Sequence, residues 1–89
     1  MAAIWGCLGE NELERGELKK AETWLTKALP VMKELQIPEQ IAELNWNLAR
    51  LYRAKGDEQT AQEHYAISHA LYTKLGAKGD LEKIENEWL

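Results

Sequence analysis

The chain has 89 residues, 45% hydrophobic and 29% charged, with 15 acidic against 11 basic side chains and a formal charge of −4. That length is one small domain burying about two-thirds of its unfolded surface, too apolar for a disordered tail and with little core to spare. The negative balance excludes nucleic acid as the expected partner, because a phosphate backbone is held by lysine and arginine.

The N-terminal stretch MAAIWGCLGENELERGE has no basic start and no apolar run long enough for a signal peptide. Nothing later approaches a membrane span, so the expectation is a cytoplasmic protein without membrane association. Cys7, the single cysteine, excludes an internal disulfide and a cysteine-cluster metal site. Beside Ile4, Trp5 and Leu8 it reads as a small buried apolar side chain.

Gly16, Pro38, Gly56-Asp57, Gly76 and Gly79-Asp80 punctuate segments rich in Ala, Leu, Glu, Lys and Gln, a pattern of helix, turn, helix without the β-branched alternation of a strand. In the second segment Leu18, Ala21, Leu25, Ala28, Met32 and Leu35 fall on one helical stripe. Pro30 lies inside that stripe and predicts a kink rather than a break. Trp24, beside the stripe, reads as packing. The third segment carries Ile41, Leu44, Leu48, Leu51 and Tyr52 on one face, and the fourth carries Ala61, Tyr65, Leu71 and Leu75 less regularly. Pro38 suits the first turn of the third helix; Asp57 and Asp80 suit the N-terminal ends of the fourth and fifth.

Shifting the sequence by 40 residues aligns Leu8 with Leu48, Gly16 with Gly56, Ala21 with Ala61 and Leu35 with Leu75, all read as packing or turn points. Ile4, Leu44 and Ile84 align through three copies, as do Leu8, Leu48 and Trp88. Trp5, Leu8, Gly9, Gly16, Ala21 and Leu25, then Leu48, Tyr52, Gly56, Ala61 and Tyr65, resemble the tetratricopeptide repeat, whose helix-turn-helix unit follows W-x₂-L-G-x₂-Y and then A-x₃-F. Glu12 stands in place of that pattern's tyrosine in the first unit; Asn45 and Ala49 stand in place of its tryptophan and glycine in the second. The 40-residue spacing resembles the long-helix members of the family.

The resemblance implies an all-α fold of helix-turn-helix repeats stacked as a short right-handed α-solenoid of about five helices. Its divisions are a first repeat at 1–37, a second at 38–77 and a C-terminal capping helix at 78–89, a truncated third repeat. Two and a half repeats fall short of the three or more that normally supply a solenoid core. The expectation is therefore a homodimer in isolation, formed through Ile4, Trp5 and Leu8, or a self-assembling fragment of a larger multidomain regulator.

His64 and His69 lie five apart, about 140° around a helix, which prevents them from clamping one metal ion and fails the H-E-x-x-H pattern. They read as solvated or half-buried side chains. No nucleophile motif positions Cys7, and the glycines lack the clustering that cradles phosphate, so neither an enzyme nor a cofactor is expected.

The third helix carries a second face with Glu43, Trp46, Asn47, Arg50 and Arg53. Trp46 sits about 160° from Leu48, a place for a large ring only if something covers it. In the resemblance this helix lines a concave groove holding a peptide or partner helix, with Asn47 bonding the ligand backbone. Glu10 and Leu13 flank the groove on one side, Lys83 and Asn86 on the other. Arg50 and Arg53 suit carboxylates and Trp46 an apolar floor, which points to an acidic peptide. Gly6 and Glu10 occupy places where a chaperone-tail clamp needs Lys and Asn, so such tails are disfavoured. The plainer alternative is that Glu43 and Glu10 neutralise the arginines while Trp46 packs on neighbouring helices.

Overall fold

A computed structural model describes residues 9–88, and every regular element among them is helical. The described part of α1 covers 9–14. It is followed by α2 (Leu18–Leu35), α3 (Pro38–Ala54), α4 (Glu58–Leu75) and α5 (Lys78–Trp88). Consecutive helices pack on one another, α2 on α3, α3 on α4 and α4 on α5.

The ends of the helices follow from local chemistry. Pro38 opens α3, where its missing N–H costs no hydrogen bond. Asp57 caps α4, its carboxylate accepting from the Thr60 amide at 3.2 Å. Asp80 falls in the first turn of α5, which begins at Lys78, so Gly79 lies inside the helix and is not the turn residue the sequence suggested. Helix α2 continues through Pro30 to Leu35. The left-handed turns recur in register: Gly16 (φ 80°) and Gly56 (φ 88°) within the two helix pairs, Gln36 (φ 55°) and Gly76 (φ 70°) after them.

The core has two parts. In the first, Ala21, Leu25, Ala28 and Met32 of α2 meet Leu44, Leu48 and Leu51 of α3. In the second, Ala42, Trp46 and Ala49 of α3 meet Tyr72 of α4 and Ile84 of α5, with Tyr65, Leu71, Leu81 and Trp88 packed around them. The α2 stripe stops at Met32, because Leu35 is 59% exposed and its counterpart Leu75 is 37% exposed. Neither is the packing point expected from the sequence. The side chains buried on α4 are Ala61, Ser68 and Tyr72. Trp24 is half-buried, outside the residues packed on the first core, with the Lys27 ammonium 5.8 Å from its ring centroid.

Gly9 of α1 packs tightly against Leu25 of α2. A Cβ there would lie 2.7 Å from both Cγ and Cδ2 of Leu25, closer than carbon atoms pack. Ile4, Trp5 and Leu8, expected to join two copies of the chain, lie outside the described residues, as does Cys7.

Candidate functional site: a two-ended groove along α3

Trp46 is 4% exposed, which corrects the expectation of an open apolar floor. Its cover comes from the same chain. Tyr65 of α4 and Trp88 of α5 stack face to face, with centroids 4.6 Å apart, and both meet Trp46 edge-on at 6.2 and 6.0 Å. Trp88 is fixed further by its indole N–H, which donates to Gln62 Oε1 at 3.1 Å. The reason is architectural. Because α3 lies between the α2 and α4–α5 layers, it needs a second buried stripe, and Ala42, Trp46 and Ala49 provide one at helical spacing.

Both arginines have partners within the chain. Arg50 Nη1 donates to Asn47 Oδ1 at 3.3 Å and lies 4.0 Å from Glu10 Oε1. Arg53 Nη1 donates to the Trp88 carbonyl at 2.8 Å, while its guanidinium carbon sits 4.6 Å from the Trp88 ring centroid and its Nε 3.9 Å from Glu58. Together with Trp46, Ala54 and Glu87, the arginines line an open cleft of about 290 Å³.

Toward the N-terminal end of α3 lies a second cavity of about 170 Å³. Glu10 of α1, Glu39, Glu43, Trp46 and Asn47 of α3, Tyr72 of α4, and Asp80, Lys83 and Ile84 of α5 line it. Five of the nine side chains singled out from the sequence thus share this cavity: Glu10, Glu43, Trp46, Asn47 and Lys83. Leu13 packs against the first core instead, and Asn86 lies beside Leu81, Glu82 and Glu85 in a separate depression on α5.

Sequence reasoning passed over Glu39, Asp80 and Tyr72. Glu39 precedes Glu43 by one helical turn and Asp80 precedes Lys83 by three residues, so helical spacing was a usable signal for both. Tyr72 reaches the cavity only through the packing of α4.

The cavity is acidic and polar. Burial raises the Glu43 carboxyl above its ordinary value, and Glu10 and Asp80 push the same way against Lys83. Burial raises the Tyr72 hydroxyl to about 12, aided by Asp80, Glu43 and Glu10. Asn47 is 2% exposed; its Oδ1 is engaged by Arg50, but its Nδ2 has no hydrogen-bond partner among the described residues. The Trp46 indole N–H is also buried without a partner. A buried indole N–H of that kind is costly to leave unpaired.

The histidines serve packing. Asn45 Nδ2 donates to the Ile41 carbonyl, leaving Asn45 Oδ1 to accept from His64 Nδ1 at 2.9 Å, so that nitrogen carries the proton. His64 also stacks on Tyr52, whose hydroxyl donates to Glu22 of α2 at 3.3 Å. Asn45, in place of the repeat's tryptophan, thereby ties α3 to α4. His69 Nε2 lies 3.6 Å from Glu85 Oε1, across the α4–α5 seam. Among the described residues, no three His, Cys, Asp or Glu side chains are grouped to hold a metal ion, and no helix is long and apolar enough to cross a membrane.

Stacked helix pairs with left-handed glycine turns, a glycine packed closely on the next helix and cavities along the central helix define a helical-repeat scaffold. The sequence profile of the tetratricopeptide repeat matches residues 1–74, and the chain belongs to that family. Members typically mediate protein–protein interaction and are generally non-catalytic. No curated protein and no solved structure matches the chain.

Proposed function

We propose that the chain is a protein-interaction module, with repeats at 1–37 and 38–77 and a capping helix at 78–89, that holds an extended segment of a partner protein in the groove along α3. The observation that carries this reading is Asn47, a residue 2% exposed whose Nδ2 has no partner among the described residues, in the wall of a cavity lined from α1, α3, α4 and α5. A donor of that kind suits a backbone carbonyl of an extended chain. Because Arg50 and Arg53 already have internal partners, the reading does not rest on an acidic ligand.

The test is selection of a displayed random decapeptide library against the whole chain. Selected peptides are expected to perturb the Asn47 side-chain amide and the Trp46 indole resonances, and to bind Asn47→Ala about tenfold more weakly, the cost of one well-made hydrogen bond in a desolvated site. Peptides indifferent to Asn47→Ala would remove the groove from the account.

Self-association through the apolar side chains of Ile4, Trp5 and Leu8 is the second reading. It predicts a dimer mass in light scattering that Leu8→Glu reduces to the monomer; a strictly monomeric mass at high concentration removes it.

A further inference from the structure

The groove is electrically divided. Its C-terminal cleft holds Arg50 and Arg53, each already engaged, whereas its N-terminal cavity brings Glu10, Glu39, Glu43 and Asp80 together against Lys83. Among the described residues, Glu39, Glu43 and Asp80 make no ion pair. The carboxylates come from three helices, so their gathering is a product of the fold and not of a local charge run.

Charge alone would be a solvated surface feature, but the cavity wall also includes Asn47, whose side-chain Nδ2 has no hydrogen-bond partner among the described residues. Asn47 is 2% exposed as a residue, and beside it Trp46 is 4% exposed with its indole N–H unpaired among the described residues. The donors and the carboxylates call for different parts of one ligand, carbonyl oxygens for the first and positive charge for the second. A cavity of about 170 Å³ has room for the end of one long side chain and none for a folded surface.

Building on the groove reading above, we propose that the N-terminal end of the groove seats the ammonium or guanidinium of a lysine or arginine side chain from an extended partner segment. Glu43 and Asp80 hold the charge, and Asn47 accommodates the adjoining backbone carbonyl. The partner class is thus a basic segment, the reverse of the acidic peptide that Arg50 and Arg53 suggested in the sequence.

Two acetylated, amidated pentapeptides test the proposal, Ala-Ser-Arg-Ser-Ala and its counterpart with Glu at the centre. Each is titrated into the whole chain while the Trp46 indole and Asn47 amide resonances are followed, with Trp46→Phe assigning the former. The arginine peptide is expected to shift both resonances saturably and the glutamate peptide to leave them in place. Glu43→Gln with Asp80→Asn should weaken the arginine peptide about tenfold, the scale of a lost charge-assisted hydrogen bond. Lys83→Glu should tighten it, a gain that misfolding cannot imitate. Equal shifts from both peptides, or none from either, would overturn the cationic assignment. A library-selected binder that moves Trp46 and Asn47 but contains no lysine or arginine would overturn it while leaving the groove reading standing.

Discussion

The seam between α2 and α3 and the seam from α3 to α4 and α5 stand on the same backbone spacing but are filled by different chemistry. Where the first has Leu25, Ala28 and Met32, the second has Tyr65, Ser68 and Tyr72 at the equivalent places of α4. The first seam has an aliphatic centre, with polar contacts from Tyr52 and Lys55 to Glu22 at its edge. The second is aromatic and hydrogen-bonded: Ser68 Oγ donates to the Ala42 carbonyl at 2.8 Å, and Trp46, Tyr65 and Trp88 form one ring cluster. Two unlike cores can therefore occupy one repeat geometry. The aromatic one combines large buried area with polar groups that must be satisfied, so single changes in it should be felt more widely.

The sharpest way to break that seam is Trp46→Ala. Removing a large, almost fully buried ring is expected to cost about 3–5 kcal/mol, a large share of a small domain's stability, read as a fall in the urea midpoint of the helical circular-dichroism signal. An unchanged midpoint would mean that the ring cluster contributes no packing.

Next is the tight contact on the aliphatic side. Gly9→Ala would push a methyl group to 2.7 Å from Leu25 and is expected to destabilise by about 1–3 kcal/mol, although alanine is the better helix former. The same chemical denaturation measures it, and a stabilised variant would show that α1 and α2 move apart freely.

Smaller still is the difference between the turns. Gln36 adopts φ 55° where Gly76 serves the second pair. Gln36→Gly should raise stability by about 0.5–1 kcal/mol by relieving a left-handed side-chain-bearing residue, visible as a higher melting temperature.

The fourth difference is in pH response, on a hydrogen-bonded pair that sits where α3 meets α4. Burial lowers the His64 pKa below the ordinary 6.5, opposed by Glu63 and aided by Lys33. As pH falls through 6.5 the unfolded chain takes up a proton that the folded chain resists, so His64 costs stability from there down to its lowered folded value, below which the penalty is constant. Glu43 acts in the opposite sense at lower pH, since its raised carboxyl binds a proton more readily in the folded state. The readout is therefore the difference in melting temperature between wild type and His64→Gln, measured from pH 7.5 to 5. The wild type should lose more, and parallel curves would show that His64 protonates freely in the fold.

Much of this architecture was legible residue by residue. The stripe Ala21, Leu25, Ala28, Met32, the opposing Leu44, Leu48 and Leu51, the Pro38 start and the Asp57 cap were all readable, because each depends on spacing along one helix. Leu35 and Leu75 satisfy the same spacing yet face solvent, since periodicity says which side of a helix a residue is on but not how far the neighbouring helix extends. Ala42, Trp46 and Ala49 were overlooked as a second stripe because two of the three are small, although their intervals of four and three residues repeat those of Leu44, Leu48 and Leu51. That oversight made Trp46 look like an open binding floor.

The sequence by itself determined an all-α chain of paired helices, where α3 and α4 begin, and the aliphatic seam, because hydrogen-bonding caps and 3.6-residue periodicity act over a few neighbouring positions. Only the tertiary structure decided that Trp46 is roofed by Tyr65 and Trp88, that Arg50 and Arg53 are held within the chain, and that Glu10 and Asp80 meet Glu43 around one cavity. Those side chains come from distant parts of the chain, and the charge of a groove depends on which helices are stacked beside it.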